Sequence, residues 1–250
     1  MSAPVLFVEH LSRSFGGIEA VRDVSFGVAA GELVALIGPN GAGKTTCFNC
    51  INGQLVPDRG WVSLAGVSIT GRSPRDVALA GVGRTFQVAA TFASMTVREN
   101  IEVALLSHSG RGAALLGRVS DTQRTLVDSL LVRTGIDTLA ERHCATLPYG
   151  DIKRVELALA LAGNPKLLLM DEPTAGMAAP ERSALMALAA DLARGNRVAV
   201  LFTEHDMDVV FGFADRVIVL DRGSIIAEGS PDEIRGDPRV QAVYLGEPAR

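Results

Sequence analysis

Gly38-Pro39-Asn40-Gly41-Ala42-Gly43-Lys44-Thr45-Thr46 is the stretch on which the reading of this chain turns. The apolar run Glu32-Leu33-Val34-Ala35-Leu36-Ile37 before it predicts a buried strand, and Cys47-Phe48-Asn49-Cys50-Ile51-Asn52 after it predicts a helix. The spacing G-x-x-x-x-G-K-T between a strand and a helix is that of a phosphate-binding P-loop. Gly41 and Gly43 let the backbone curl so that successive N–H groups turn inward toward phosphate oxygens. The helix starting near Lys44 adds the positive end of its dipole. Lys44 supplies a point charge to the β- and γ-phosphates, and the Thr45 hydroxyl is a ligand for magnesium. The motif predicts that the chain binds a nucleoside triphosphate, taken as ATP with Mg2+.

Composition bounds the rest. At 250 residues there is room for one large domain, or for one domain carrying an inserted subdomain. Hydrophobic residues at 48% suffice for a substantial core, and charged residues at 21% exclude a disordered chain. The formal charge of -4 and a pI near 5.6 give no global basic field, so nucleic acid is not an expected partner. Apolar runs such as 167–170 and 198–202 fall far short of the ~20 residues that span a bilayer. Met1-Ser2-Ala3-Pro4 opens no signal region. The expectation is a soluble, cytoplasmic chain that reaches a membrane through a partner. Cys47 and Cys50 share one side of the helix behind the P-loop, and they read as small core residues in preference to a redox pair.

Along the chain, strands are expected at 5–9 and 24–28, with Phe15-Gly16-Gly17 in the turn region between them, and then at 33–37, 61–64 and 82–86. A short helix at 74–80 opens on Ser73 as its cap. From Thr91 to about Gly163 helical periodicity takes over. Val97, Ile101, Ala104 and Leu105 repeat on one face, as do Leu126, Leu130 and Leu131, then Val155, Leu157, Leu159 and Leu161 after a break at Pro148. Residues 107–117, rich in Ser, Gly and Ala, read as a loop. The α/β pattern then resumes with a strand at 167–170, a helix at 180–194, a strand at 198–203 and a helix at 206–213. A hairpin over 217–220 and 224–227 turns at Asp221-Arg222-Gly223, and 231–245 is mostly helical. The whole is read as a single ATPase domain over 1–250. Its nucleotide-binding core takes in 1–87 and 164–250, and the inserted helical subdomain 88–163.

Polar residues at strand ends carry the remaining chemistry. Leu167-Leu168-Leu169-Met170 runs into Asp171-Glu172, and acids at the C-terminal end of a buried strand sit where α/β sheets place their ligands. Beside a P-loop, Asp171 is expected to orient the magnesium shell and Glu172 to act as general base on the attacking water. Gln87 also closes a strand, where an amide reaches magnesium or the water; from position alone an ordinary polar strand end fits as well. His205 ends the strand at 198–204, where an imidazole can sense the γ-phosphate, whereas His10, His108 and His143 have no comparable setting. Leu147-Pro148-Tyr149-Gly150-Asp151 precedes a helix, whose N-terminus attracts anions.

Taken together, the P-loop, Gln87, residues 147–151, Asp171-Glu172 and His205 resemble, in order and spacing over nearly the whole chain, the nucleotide-binding subunits of ABC transporters. The resemblance implies an α/β P-loop NTPase (RecA-like) core with an antiparallel β subdomain and an inserted α-helical subdomain. It also implies a head-to-tail dimer, homo- or heteromeric, holding ATP between each P-loop and the other subunit's signature. In that arrangement Pro148, Tyr149, Gly150 and Asp151 face the partner's nucleotide, Phe15 stacks on adenine, and the helical region docks on transmembrane permease subunits at the cytoplasmic face. Arg84-Thr85-Phe86-Gln87, Ala175-Gly176-Met177, Glu204-His205-Asp206-Met207 and Asp237-Pro238-Arg239-Val240 with Tyr244-Leu245-Gly246 look like the longer ATPase subunit of branched-chain amino acid importers. Such importers are fed indirectly by a solute-binding protein. Urea and amide importers and the lipopolysaccharide-export ATPase share parts of this pattern, and a non-transport ABC ATPase is the rival of another class. Two departures stand out. Pro148, Tyr149 and Asp151 replace the serine, glycine and glutamine of the usual L-S-G-G-Q, and Ala178 replaces Asp or Asn. The composite site using this signature is therefore expected to be the weaker of two.

Overall fold

The computed structural model describes residues 4–85, 91–108 and 120–245. Strands β1 (Leu6–Phe15) and β2 (Ile18–Val28) pair antiparallel about the Gly16-Gly17 turn. Both are longer than the expected 5–9 and 24–28. The reason is a pair of irregularities: His10 and Asp23 take left-handed backbone angles, and the register shifts between Val8 and Leu11. Each break moves the side chains to the other face, so the alternation that marks a strand is interrupted although the pairing continues. β4 (Arg59–Leu64) adds to the far edge of β1, and a two-residue β5 (Val67–Ser68), unforeseen in the sequence, closes the order β2-β1-β4-β5.

The second sheet is built on β3 (Leu33–Ile37), which lies between β8 (Ala199–Thr203) and β9 (Arg216–Asp221) and is parallel to both. β7 (Leu167–Asp171) and β6 (Val82–Thr85) extend it in parallel beyond β8, and β10 (Ser224–Gly229) pairs antiparallel on the outer side of β9. The resulting order is β10-β9-β3-β8-β7-β6. Every residue of β3 is buried because the sheet is covered on both faces, which is why its sequence is continuously apolar.

Alternation along β3 divides the core. Val34 and Leu36 face α1 (Lys44–Ile51) and the antiparallel sheet, so α1 is held between two sheets by Cys47, Phe48, Cys50 and Ile51. Burying Phe48 whole contributes roughly 1.5–3 kcal/mol. Burial pushes the Cys50 thiol up to about 11 and the Cys47 thiol further still. Both stay protonated at neutral pH and serve as core.

Leu33, Ala35 and Ile37 face the opposite way, toward a core shared with α3 (Val97–His108), α4 (Asp121–Arg133), α5 (Tyr149–Leu161), α6 (Ala179–Asn196) and α7 (Met207–Phe213). In α4 the inward positions are Val127, Leu130 and Leu131, while Leu126, expected on that face, is exposed. Leu130 and Leu131 are buried as expected, and the stripe begins at Val127 in place of Leu126. α2 (Pro74–Ala80) starts where expected, with Ser73 Oγ accepting from Asp76 N at 3.2 Å. α8 (Pro231–Gly236) and α9 (Pro238–Leu245) end the described chain. Ser107 and His108, expected in a loop, complete α3; residues 109–117 of that expectation lie outside the described residues.

Candidate functional site

The loop between β3 and α1 lies where three elements converge. A Cβ at Gly38 would stand 2.1 Å from Leu220 O at the end of β9, and one at Gly43 would stand 2.2 Å from Ala20 O of β2. With φ of +150° and +105° as well, these positions accept glycine alone, and the backbone is drawn tightly under the site. Gly223 N, in the β9–β10 turn, donates to Ala42 O at 3.0 Å and fixes the loop from the other side. Lys44 is buried, and its ammonium donates to Gly38 O at 2.7 Å and Pro39 O at 3.1 Å, so the charge lies across its own loop. Burial lowers its pKa from the ordinary lysine value, and the carboxylates of Glu172 and Asp171 oppose that. Thr45, in the first turn of α1, is exposed; Pro39, Asn40 and Gly41 complete the loop before it, and Thr46 continues the helix.

Across the sheet, β7 and β8 end side by side in register, Asp171 opposite Thr203. Thr203 Oγ1 donates to Asp171 Oδ1 at 2.8 Å, and Arg84 Nη2 lies 3.3 Å from Asp171 Oδ2. Arg84, from β6, also donates to Asn49 Oδ1 at 3.0 Å and Gln54 Oε1 at 3.1 Å, tying the acid strand to the far end of α1. Burial lowers the Arg84 pKa and Asp171 opposes this. Glu172 takes a left-handed φ of 47°, and its N–H is held by Thr203 O at 3.2 Å and Thr203 Oγ1 at 3.1 Å. Its Oε1 lies 2.9 Å from Nε2 of His205, whose side chain is half exposed. The carboxylates and imidazole expected from the sequence are thus brought together, at the ends of β8, which neighbours the P-loop strand, and of β7 beyond it. The roles of Arg84 and Thr203 were not legible: a cation within one strand and a hydroxyl at the end of another carry no periodic signal.

Other expected site residues are more scattered. Phe15 is exposed at the end of β1, with the Arg13 guanidinium 5.0 Å from its ring centroid. Pro148 is the N-cap of α5, and Tyr149, Gly150 and Asp151 form its first turn. The Tyr149 ring lies against Gly176, where a Cβ would meet it at 3.6 Å, and Lys153 Nζ is 5.4 Å from the ring centroid. The signature stretch is therefore packed on the segment that follows Glu172. Ala178 is the exposed N-cap of α6 and has no side-chain oxygen to offer it. Gln87 lies outside the described residues. A groove of about 420 Å³ passes between α2, β6 and the helices α3 and α5, lined by Val77, Phe92, Val103, Leu159 and Arg84.

A loop that cradles phosphate, faced by a strand-end carboxylate pair and an imidazole, is the arrangement of a nucleotide hydrolase. A family profile described as ABC transporter matches residues 21–175, more than half of the chain. The chain belongs to the ABC transporter family. As an ABC ATPase it is an ATP-binding, ATP-hydrolysing subunit of a membrane transporter. A second profile, described as branched-chain amino acid ATP-binding cassette transporter, matches residues 224–250. The high-affinity branched-chain amino acid transport ATP-binding protein LivG of Salmonella typhimurium is 40% identical over 99% of this chain and 100% of its own length. BraF of Pseudomonas aeruginosa, of the same description, is 38% identical over 99% and 100%. The lipopolysaccharide export ATP-binding protein LptB of Haemophilus influenzae is 34% identical over 97% and 98%.

Among solved structures, the ADP conformation of MJ1267, an ABC transporter cassette, superposes with a TM-score of 0.87 at 29% identity, covering 98% of this chain and 100% of that one. The dimeric cassette MJ0796 superposes at 0.77 with 25% identity over 90% and 98%. The expected fold class, a P-loop NTPase core with an antiparallel β subdomain and inserted helices, is that of these ABC cassettes. Cassettes of this family pair with one another and with transmembrane subunits. Among the described residues no helix is long and apolar enough to cross a membrane.

Proposed function

We propose that this ABC ATPase powers the import of branched-chain or related amino acids, with Glu172 as the base that activates water. The observation that carries the site reading is the 2.9 Å contact between Glu172 and His205 at the ends of neighbouring strands, facing the P-loop. The loop amides and Lys44 bind and orient the phosphates, so attack is made nearly unimolecular. Glu172 accepts the proton of the attacking water, and His205 orients that carboxylate while its exposed edge meets the γ-phosphate. Asp171, Thr45 and Gln87 would serve Mg2+; the exposed Thr45 hydroxyl and a half-buried carboxylate are the hard oxygen donors this ion takes, beside phosphate oxygens and water. When bound, the ion neutralises charge on the phosphate oxygens.

The substrate class rests on the similarity to LivG and BraF and on the tail match at 224–250. The weaker similarity to LptB leaves export as the second reading. In the first reading the chain is peripheral at the cytoplasmic face of the membrane and pairs with a second ATPase subunit. It works with transmembrane permeases and, through them, a solute-binding protein. Residues 88–163 act as the docking unit, and the apolar groove between α2, β6 and α3 supports this. Phe15 stacks on adenine, and Pro148 to Asp151 meet the nucleotide held by the partner.

In the assembled transporter, Glu172→Gln is expected to retain ATP binding while turnover falls by roughly 10²–10⁴-fold, the usual worth of a positioned base. Near-normal hydrolysis removes Glu172 from the role. Purification of the tagged chain from its native membrane checks the partners. Permeases and a shorter ATPase support the importer, whereas ribosomes, DNA or no membrane protein overturn it.

A further inference from the structure

Glu204 is buried at the end of β8, between Thr203 and His205, and the mechanism above makes no use of it. Its carboxylate is turned toward the chain that follows Glu172. Oε1 accepts from Thr174 N at 2.9 Å and from Thr174 Oγ1 at 2.6 Å, and Oε2 accepts from His205 N at 3.1 Å. Thr174 is itself buried. Among the described residues no cation lies within ion-pair distance of Glu204, so its charge is satisfied by neutral donors alone. A buried carboxylate is costly to keep and is tolerated only where such donors are in place. The cost therefore secures a geometry: one side chain grips both the segment two residues beyond Glu172 and the backbone of His205.

That geometry is one the chain does not hold by itself. A left-handed residue other than glycine costs about 1–3 kcal/mol and persists where its surroundings over-determine it. Glu172 is such a residue, tethered on one side by Thr203 and followed on the other by Thr174. We propose that Glu204 is a positioning residue for hydrolysis: it clamps Thr174 to His205 and so keeps the Glu172 carboxylate and the His205 imidazole in contact. The inference rests on the assignment of Glu172 as base. A glutamine at 204 has the same volume and only one acceptor oxygen, so it cannot serve Thr174 and the His205 amide together.

The test uses Glu204→Gln, Thr174→Val and Thr174→Ser in the assembled transporter, with Glu172→Gln as reference. The expected result for Glu204→Gln is a fall in kcat of about ten- to a hundredfold, with KM for ATP within about twofold of the parent, as for a displaced catalytic group. Thr174→Val moves the same way, and Thr174→Ser, which keeps the hydroxyl, restores the parent rate. In the full chain, the imidazole 15N resonances of His205 lose their hydrogen-bonded signature in Glu204→Gln, while those of the other histidines stay put. Thr174→Val carries the same two readouts if Glu204→Gln does not fold. Parent-like kcat, or an unmoved His205 signal with only a lower melting temperature, overturns the clamp and leaves a purely structural carboxylate. The two levels are separable: an active Glu172→Gln removes the base assignment, whereas an inactive Glu172→Gln beside a fully active Glu204→Gln removes only the clamp.

Discussion

At the scale of single residues, Asp151 sets two effects against each other. It is the third residue of α5, where a carboxylate is favourable to the helix dipole by about 0.3–1 kcal/mol. The same charge stands on the signature stretch, which in a paired cassette would approach an anionic γ-phosphate, where it is repulsive. Asp151→Gln is accordingly expected to lower the melting temperature slightly and to raise ATP turnover of the assembled transporter. Calorimetry and a steady-state ATPase assay on the same preparation check both signs, and unchanged turnover removes Asp151 as the cause of a weaker site. The chemistry of the P-loop was legible because its residues are consecutive. The pairing of Arg84 with Asp171 was not, because 87 positions separate them.

At the scale of elements, the starts of α2, α7 and α8 were read to within a residue, and each is capped by a side chain. Ser73, Ser230 and Asp206 all accept from backbone N–H groups at the heads of α2, α8 and α7. α6 is the exception. Its N-cap, Ala178, has the extended backbone of a capping residue (φ -69°, ψ 152°), while Glu181 Oε2 reaches back to its N–H at 3.4 Å. Half of a capping box is therefore present. The family resemblance drew attention to Ala178 as a departure from Asp or Asn, and the structure places that departure at an unfilled helix cap. Ala178→Asp should stabilise the chain by about 0.5–2 kcal/mol, a rise of about 2–4 °C in Tm per kcal/mol for a chain of this size. Thermal unfolding of the full chain measures it, and no rise would mean that the cap geometry is already satisfied by Glu181. Strand ends were read less well, since β1 and β2 continue through bulges that hide their period.

At the scale of the whole molecule, the two sheets are joined behind the nucleotide site by Arg216 of β9. Its guanidinium donates to Glu32 at 2.8 and 3.1 Å, to Gly27 O at 2.5 Å and to Glu228. β2, the turn into β3, β9 and β10 thereby meet at one half-buried cation. Arg216→Met keeps much of the side-chain volume but leaves Glu32, among the described residues, with only the Ala29 N–H and removes the donor to the Gly27 carbonyl. It should cost about 2–3 kcal/mol, in line with the loss of charge-assisted hydrogen bonds. Urea unfolding that shows a lower midpoint with an unchanged slope supports this; an unchanged midpoint would assign the junction to apolar packing alone.

The sequence by itself determined the fold class, the nucleotide and most helix and strand positions, because each is encoded in neighbouring residues through spacing, period or cap. Only the tertiary structure decided which strand-end side chains meet. Glu172 and His205 are 33 positions apart and touch because β7 and β8 are adjacent and parallel. Glu204 turns inward between two site residues, and Arg84 reaches Asp171 from the neighbouring strand β6. No period in a sequence reports the direction of a side chain where a strand ends, since beyond the last ladder bond the pleat no longer dictates it.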